Sequence, residues 1–291
     1  MGIRERTAFQ IDHTRCICCG RCVNTCAGQV IVFGKDGYPH MKDFSRYGWQ
    51  GCWKCQHCLA VCPAGAVTIF HKNAEDSLPL PSEKAAEEME RLVVSRRSCR
   101  RFLDKDVEKT TLDRIPKAMS AVPTGGNAME VEYTVIDDRA MVRKIRDTAY
   151  KDMEECAKRG IYTHSFSSFY YEKMKESEKT IRKGDMLFCG APHLFIAHAK
   201  CSGKWAEDAR ADCIIADAYF ELLCNAFGLG TIIMSYSAEV LNELSPAAKA
   251  MLEIPNDHYT GLIVGFGYPE IPYARGVQKG KGKKVHRRSE Q

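Results

Sequence analysis

Apolar positions follow two regimes along the chain. Before about residue 72 they come in runs too short for a sizeable helix. Ala8, Phe9 and Ile11 predict a first strand within 1–15, and Val30-Ile31-Val32-Phe33 and Val67-Thr68-Ile69-Phe70 predict two more. Each of the latter two follows a cysteine-rich stretch, so turn, short helix and strand recur as an internal two-fold repeat. Asp36-Gly37 marks a turn between extended segments. From residue 83 the period lengthens. Ser82 is placed to cap a helix from Glu83 to about Ser95, with Ala86, Met89, Leu92 and Val93 as its buried stripe. Thr111 to Ser120 reads as a helix with Leu112, Ile115, Ala118 and Met119 inward. Val131–Ile136 reads as a strand, and Val142, Ile145, Ala149 and Met153 mark the next helix. Pro192–Ala199 is a buried strand whose histidines, His193 and His198, are expected to be satisfied locally. Glu207 to Phe227 is the most hydrophobic helix, expected to bury Ala211, Ile214, Ile215, Ala218, Leu222 and Ala226 and to stop at Gly228-Leu229-Gly230. A strand at Thr231–Met234, a helix from Ala238 to Leu252 interrupted near Pro246, and a last strand at Tyr259–Phe266 complete the series.

Composition adds a compartment. Fifteen cysteines would suggest disulfides in a small secreted chain, but nine of them lie in or beside two short runs. Met1 to Gln10 is charged and lacks the apolar stretch of a secretory signal. Metal ligation in a reducing cytoplasm is therefore expected. With 291 residues, 45% of them hydrophobic, the chain can bury one large or two smaller cores, and no apolar run is long enough for a membrane span. The net charge of +5 is mild and concentrates in the tail from Lys279 to Arg288. That tail reads as a solvated end or a docking surface for an acidic protein rather than a nucleic-acid contact.

The chemistry starts in the cysteine runs. Cys52, Cys55, Cys58 and Cys62, followed by Pro63, have the spacing C-x2-C-x2-C-x3-C-P, and Cys16, Cys19, Cys22 and Cys26 repeat it without the proline. Three cysteines this close can wrap one face of an iron–sulfur cubane, while the fourth reaches the other cluster. Zinc sites use paired knuckles instead of triplets with a distant fourth ligand, so zinc fails on spacing. Cys18 is surplus to the register and reads as a bystander. Tyr47 and Trp49 either cover a cluster or serve in ordinary packing. A Pro-stiffened stretch, 73–82, reads as a linker.

Beyond it, Arg96, Arg97, Arg100 and Arg101 crowd around Ser98 and Cys99. Guanidinium forks in a short cluster that ends in Phe102 suit a pocket for one phosphate and a polar heterocycle better than a nucleic-acid face. Pro123-Thr124-Gly125-Gly126-Asn127 offers close backbone approach and hydrogen-bonding side chains, although Pro and Gly mark any turn. The aromatic patch of His164, Phe166, Phe169, Tyr170 and Tyr171 reads as helix packing, with a substrate lid as the alternative. No Cys–His or Ser–His–Asp constellation stands out. Cys99, Cys156, Cys189, Cys201, Cys213 and Cys224 read as small core residues. No G-x-G-x-x-G follows a strand, and there is no P-loop.

Residues 1–72 resemble a bacterial two-cluster ferredoxin. The landmarks at 96–102, 123–127, 228–231 and 264–269, followed by Arg275, together resemble the FMN-dependent nitroreductase family. The whole is similar to ferredoxin–nitroreductase fusions of anaerobes. The resemblance implies an α+β fold: a two-cluster ferredoxin-like domain at 1–72, a linker at 73–82, and at 83–291 a nitroreductase-like α+β sandwich with a mainly antiparallel central sheet. It implies one [4Fe–4S] cluster on Cys16, Cys19, Cys22 and Cys62 and another on Cys52, Cys55, Cys58 and Cys26. It implies FMN held by Arg96, Arg97, Ser98 and Arg100 at the ribityl chain and phosphate, and by Pro123, Thr124, Gly125 and Asn127 near the ring. Gly228, Leu229 and Gly230 would approach the ring by backbone, and Arg275 and Lys279 would close on the phosphate. Ala128-Met129-Glu130 departs from the family's usual Gln-Pro-Trp at this point. A homodimer with FMN at its interface is also implied.

The function expected is a flavin and iron–sulfur oxidoreductase. It would pass electrons from a low-potential donor, reduced ferredoxin more than NAD(P)H, through two clusters and FMN to a small acceptor such as a nitroaromatic, quinone or enone. The flavin carries the chemistry, so no side-chain acid or base is assigned. The rival from another class is a non-catalytic carrier relaying electrons to a protein partner; an open flavin face that turns over small acceptors separates the two.

Overall fold

A computed structural model describes residues 4–177, 185–201, 206–276, 278 and 285–288; Lys279 and most of the basic tail lie outside the described residues. The chain divides into two units. One is Met1–Ser82 with Pro123–Glu130, and the other is Glu83–Val122 with Val131–Gln291. Residues 123–130, which the sequence reading assigns to the second domain, thus group with the first.

The first unit is built as the repeat predicts. Strand β1 (Gln10–Ile11) pairs antiparallel with β4 (Val67–Thr68), and β2 (Ile31–Phe33) with β3 (Pro39–Met41). Helices α1 (Arg21–Asn24) and α2 (His57–Ala60) carry the third cysteine of each run. The repeat offset of 36 residues (52 − 16) extends to the backbone. Cys18 and Lys54, Gly20 and Gln56, and Gln29 and Gly65 all take positive φ. Cys18 is therefore a turn position whose counterpart is a lysine, and its thiol is exposed. Gly28 passes against the carbonyl of Gly51, where a Cβ would come within 1.9 Å of the oxygen, so only glycine fits. Val30, Ile31, Met41, Leu59, Val67 and Ile69 close the core around the cysteines.

The second unit begins with α3 (Ala85–Ser95) and α4 (Lys109–Met119). Its sheet is fully antiparallel in the order β5 (Glu132–Ile136), β6 (His193–Lys200), β8 (His258–Gly267), β7 (Gly230–Met234). One face is covered by α5 (Arg139–Lys158), whose Val142, Ile145, Ala149 and Met153 are buried as predicted with Leu194 and Ile196. Asp138 caps α5 by accepting from the amides of Ala140 and Met141. The segment α8 (Ser235–Glu239), a wider turn at Val240–Leu244, and α9 (Pro246–Ala250) add Val240, Leu241, Leu244 and Ala248 to the same core. The other face is covered by α7 (Ala206–Ala226) and α4. There Phe220 stacks on Phe195 with centroids 3.8 Å apart and meets Phe266 edge-on. In the aromatic patch, Phe166 and Tyr171 are core residues and Phe169, on α6 (Ser168–Ser177), is exposed.

Two predicted faces are corrected. The residues α7 buries are Cys213, Ala216, Asp217, Phe220, Glu221 and Cys224, while Ile214 and Ile215 are 46% and 37% exposed and Ala211, Ala218 and Ala226 also face out. The buried face itself carries Asp217 and Glu221 while Ile214 and Ile215 lie outside it, so apolar periodicity could not choose the inner side. In α3 no residue is buried, Met89 and Val93 are each 53% exposed, and Ser82 makes no cap because the helix begins two residues later, after Lys84. Among the described residues no helix is long and apolar enough to cross a membrane.

A bulge in β8, where Gly261 and Leu262 lie opposite the single residue Ala197 of β6, sits beside the unit's most unusual carboxyl. The β6–β8 register shifts between Ile196 and His198. Asp217 of α7 supplies the acceptor that the bulge leaves wanting, its Oδ2 taking the amide of Leu262 at 2.9 Å and its carboxyl also the amide of Ala197. Burial pushes this carboxyl up to about 8, and Oδ1 has no partner among the described residues.

Candidate functional site

The eight cysteines of the two runs sort themselves into two crossed sets. Cys16, Cys19 and Cys22 share a cavity with Cys62, and Cys52, Cys55 and Cys58 share another with Cys26. The cavities are alike in size and in the chemistry of their lining. Ile11, Ile17 and Val67 wall the first; Val30, Met41, Trp53 and Ile69 wall the second. The repeat places matching amides on matching sulfurs. Val30 N–H donates to Cys26 Sγ at 3.4 Å and Ala66 N–H to Cys62 Sγ at 3.2 Å, while Lys54 N–H reaches Cys52 Sγ at 3.4 Å. Such donors stabilise thiolate charge and tune a cluster. Burial pushes the Cys58 thiol up to about 12, so a thiolate there requires a cation to balance it. Four soft sulfurs in each closed apolar shell fit an iron–sulfur cubane. Cys18 lines neither cavity. Nor does Trp49, which is 74% exposed and packs edge-on against Trp53; Trp53 is the aromatic that lines the second cavity. Tyr47 is half-buried against Phe44.

A directed bond from Asn127 ties the Pro123–Asn127 loop to this unit. Gly126 and Asn127 take positive φ (58° and 52°), and Met129 N–H donates to Thr124 Oγ1 at 3.0 Å. The turn aims the Asn127 amide at the backbone of the second cysteine run, where Nδ2 donates to the Trp53 carbonyl at 2.8 Å. Trp53 directly follows Cys52 and lines the second cavity, so the bond ties this loop to a residue of that cavity's wall.

In the second unit the arginine segment runs along the outer edge of β7. Ser98 bridges to Thr231 in parallel fashion, and Cys99 N–H donates to the Thr231 carbonyl at 2.7 Å. Gly230 makes the approach possible, since a Cβ there would lie 2.7 Å from that of Cys99. Gly228, at φ +75°, turns the chain out of α7 into β7. The structure thus joins the 96–101 and 228–231 landmarks. It separates the roles of the arginines. Arg96 is paired with the buried Glu221 at 2.9 Å, in a network where Asn225 donates to Thr231 Oγ1 at 3.0 Å. Arg101 pairs with Glu270 at 3.0 Å. Arg97 donates from Nη1 to the Arg96 carbonyl, but its Nε and Nη2 are buried with no partner among the described residues. Unmet guanidinium donors of this kind fit an oxyanion such as a phosphate. Arg100 and Arg275 are exposed.

Comparison with known proteins finds two families along the chain. The nitroreductase family model matches residues 93–268, and a 4Fe–4S dicluster domain model matches residues 15–101. The chain belongs to the nitroreductase family. A nitroreductase from Desulfitobacterium hafniense, solved with bound FMN, superposes with a TM-score of 0.53 at 20% identity over 68% of this chain and 98% of its own, which establishes the fold. A relative from Archaeoglobus fulgidus, provisionally named an NADH dehydrogenase/NAD(P)H nitroreductase, is 23% identical over 63% of this chain and 87% of its own length. An uncharacterized ferredoxin from Methanocaldococcus jannaschii is 30% identical over 20% of this chain and 73% of its own. Family and module together make this nitroreductase an iron–sulfur- and flavin-dependent oxidoreductase.

Sequence reasoning missed Glu221 and Asp217, which hold the nitroreductase sheet and its arginine segment in place. A faint signal was present: two acids, four residues apart, in an otherwise apolar stretch of α7.

Proposed function

We propose that this nitroreductase takes electrons from a low-potential protein donor, reduced ferredoxin, and delivers them to a small organic acceptor such as a nitroaromatic, quinone or enone. When bound, two [4Fe–4S] clusters supply one-electron carriage and FMN supplies conversion to two-electron delivery. Cys16, Cys19, Cys22 and Cys62 hold one cluster and Cys26, Cys52, Cys55 and Cys58 the other. Arg97 binds the phosphate, with Arg100, Ser98 and Arg275 as further donors and Arg96 fixed by Glu221 to support the segment. The observation that carries the reading is the Asn127–Trp53 bond. A loop expected at the flavin ring is tied to the run that supplies Cys52, Cys55 and Cys58, which with Cys26 would hold the cluster that supplies one-electron carriage toward the flavin. The outward apolar faces of α3 and α7 support a homodimer, and the reducing conditions that free thiols and clusters need support a cytoplasmic setting.

Anaerobic turnover tests the function. Reduced ferredoxin and NADPH are supplied in turn, followed by nitroaromatic, quinone and enone acceptors. Ferredoxin is expected to support turnover with at least one acceptor class. A flavin that no donor reduces ends the reading; a reduced flavin that no small acceptor reoxidises makes the chain a relay.

A further inference from the structure

The antiparallel sheet gathers a second group of ligating side chains, separate from the cysteines and the arginine segment. Glu132 on β5 lies directly opposite His198 on β6, and His198 faces Thr260 on β8, two residues from His258. Residues two apart on a strand share a face, so Glu132, His198 and His258 project together from three adjacent strands. Their ligand atoms all lie within 4.8 Å of one another. The imidazoles meet through their Nδ1 atoms at 3.0 Å, and Thr134 Oγ1 lies 3.0 Å from His198 Nε2. A neutral imidazole carries one N–H. With that proton on Nε2 and donated to Thr134, His198 presents its Nδ1 lone pair toward His258 and Glu132. This is how ligand histidines are held, one nitrogen fixed by a neighbour and the other free for a metal.

We propose that Glu132, His198 and His258 form a binding site for a divalent cation of borderline softness, represented by Zn²⁺, with its remaining positions open to water. Two Zn–N bonds at a tetrahedral angle place their nitrogens about 3.3 Å apart, a few tenths of an ångström from the separation observed. Two imidazoles and one carboxylate are a ligand set of open zinc sites, whereas Mg²⁺ and Ca²⁺ prefer oxygen throughout. His198 is buried, His258 half-buried and Glu132 exposed, so the ion has a rigid floor and an entry from the carboxylate side. The site stands independently of the flavin and cluster assignments.

The test is anaerobic calorimetric titration of the tag-free holoprotein with ZnCl₂ in excess Mg²⁺, with visible absorption showing the clusters unchanged. One Zn²⁺ per chain is expected. Glu132→Gln and His258→Gln, neither on a fully buried side chain, each weaken binding by roughly tenfold or more, and Thr134→Val by about 10- to 100-fold, through loss of the tautomer lock. Undiminished binding in both ligand variants assigns the ion to thiols such as Cys18 and overturns the proposal. No binding by the wild type also overturns it and leaves a hydrogen-bonded imidazole pair.

Discussion

Asp217 illustrates how a single residue can serve a fold at the expense of its own charge. Its carboxyl accepts the amides of Leu262 and Ala197 at the β8 bulge, in a site so dry that burial pushes it up to about 8. The unfolded value is about 3.9, so the folded protein holds the proton more tightly. That contribution to stability is complete below about pH 4 and is lost as the pH rises through about 8. In anaerobic urea unfolding, wild type is expected to lose stability between pH 5 and pH 8.5, and Asp217→Asn to lose less over the same range; equal slopes would show that Asp217 is ionised in the folded chain. Cysteine crossing makes a second prediction at this scale. Cys26→Ser is expected to disturb the electron paramagnetic resonance signal of the same cluster as Cys58→Ser, and Cys62→Ser that of the other, because each fourth cysteine lines the opposite run's cavity. Pairing within each run would give the reverse. The cysteine sets were legible because their spacing is local and chemically narrow. The division of labour among the arginines was not, since the partner that fixes Arg96 lies 125 residues away.

Elements were read more reliably than their orientation. The strands and helices around the sheet lie where apolar periodicity put them, to within a residue or two for β5, β6, β8 and α7. The inner side of α7 was lost because Ile214 and Ile215 compete with Cys213 and Phe220 in a helix with little polar contrast. Phe220, stacked on Phe195, identifies the true inner face, and Phe220→Ala is expected to cost about 3–5 kcal/mol in urea unfolding. The outer face then needs a covering. With Ile214 and Ile215 on α7 and Met89 and Val93 on α3 about half exposed, covering what remains of each side chain would contribute roughly 1 kcal/mol to association. Wild type is expected to sediment as the proposed dimer, and the double variant Ile214→Lys, Ile215→Lys as a monomer with unchanged helical circular dichroism. A monomeric wild type would leave these faces without the proposed partner.

At the scale of the molecule, the fusion of an iron–sulfur module to a nitroreductase is visible in motif order, but the membership of residues 123–130 is not. A boundary inferred from composition is a single cut, and the bond that attaches this loop joins one side chain to one backbone carbonyl, which leaves no sequence pattern. That attachment is the proposed link between electron storage and electron use. Anaerobic stopped-flow mixing with reduced ferredoxin, following cluster and flavin absorption together, tests it most directly. Cluster absorption is expected to fall first and flavin absorption to follow, with the second phase slower in Asn127→Ala while the first is unchanged. Flavin reduction that precedes the clusters, or that proceeds at the wild-type rate in a chain stripped of its iron, would contradict the account.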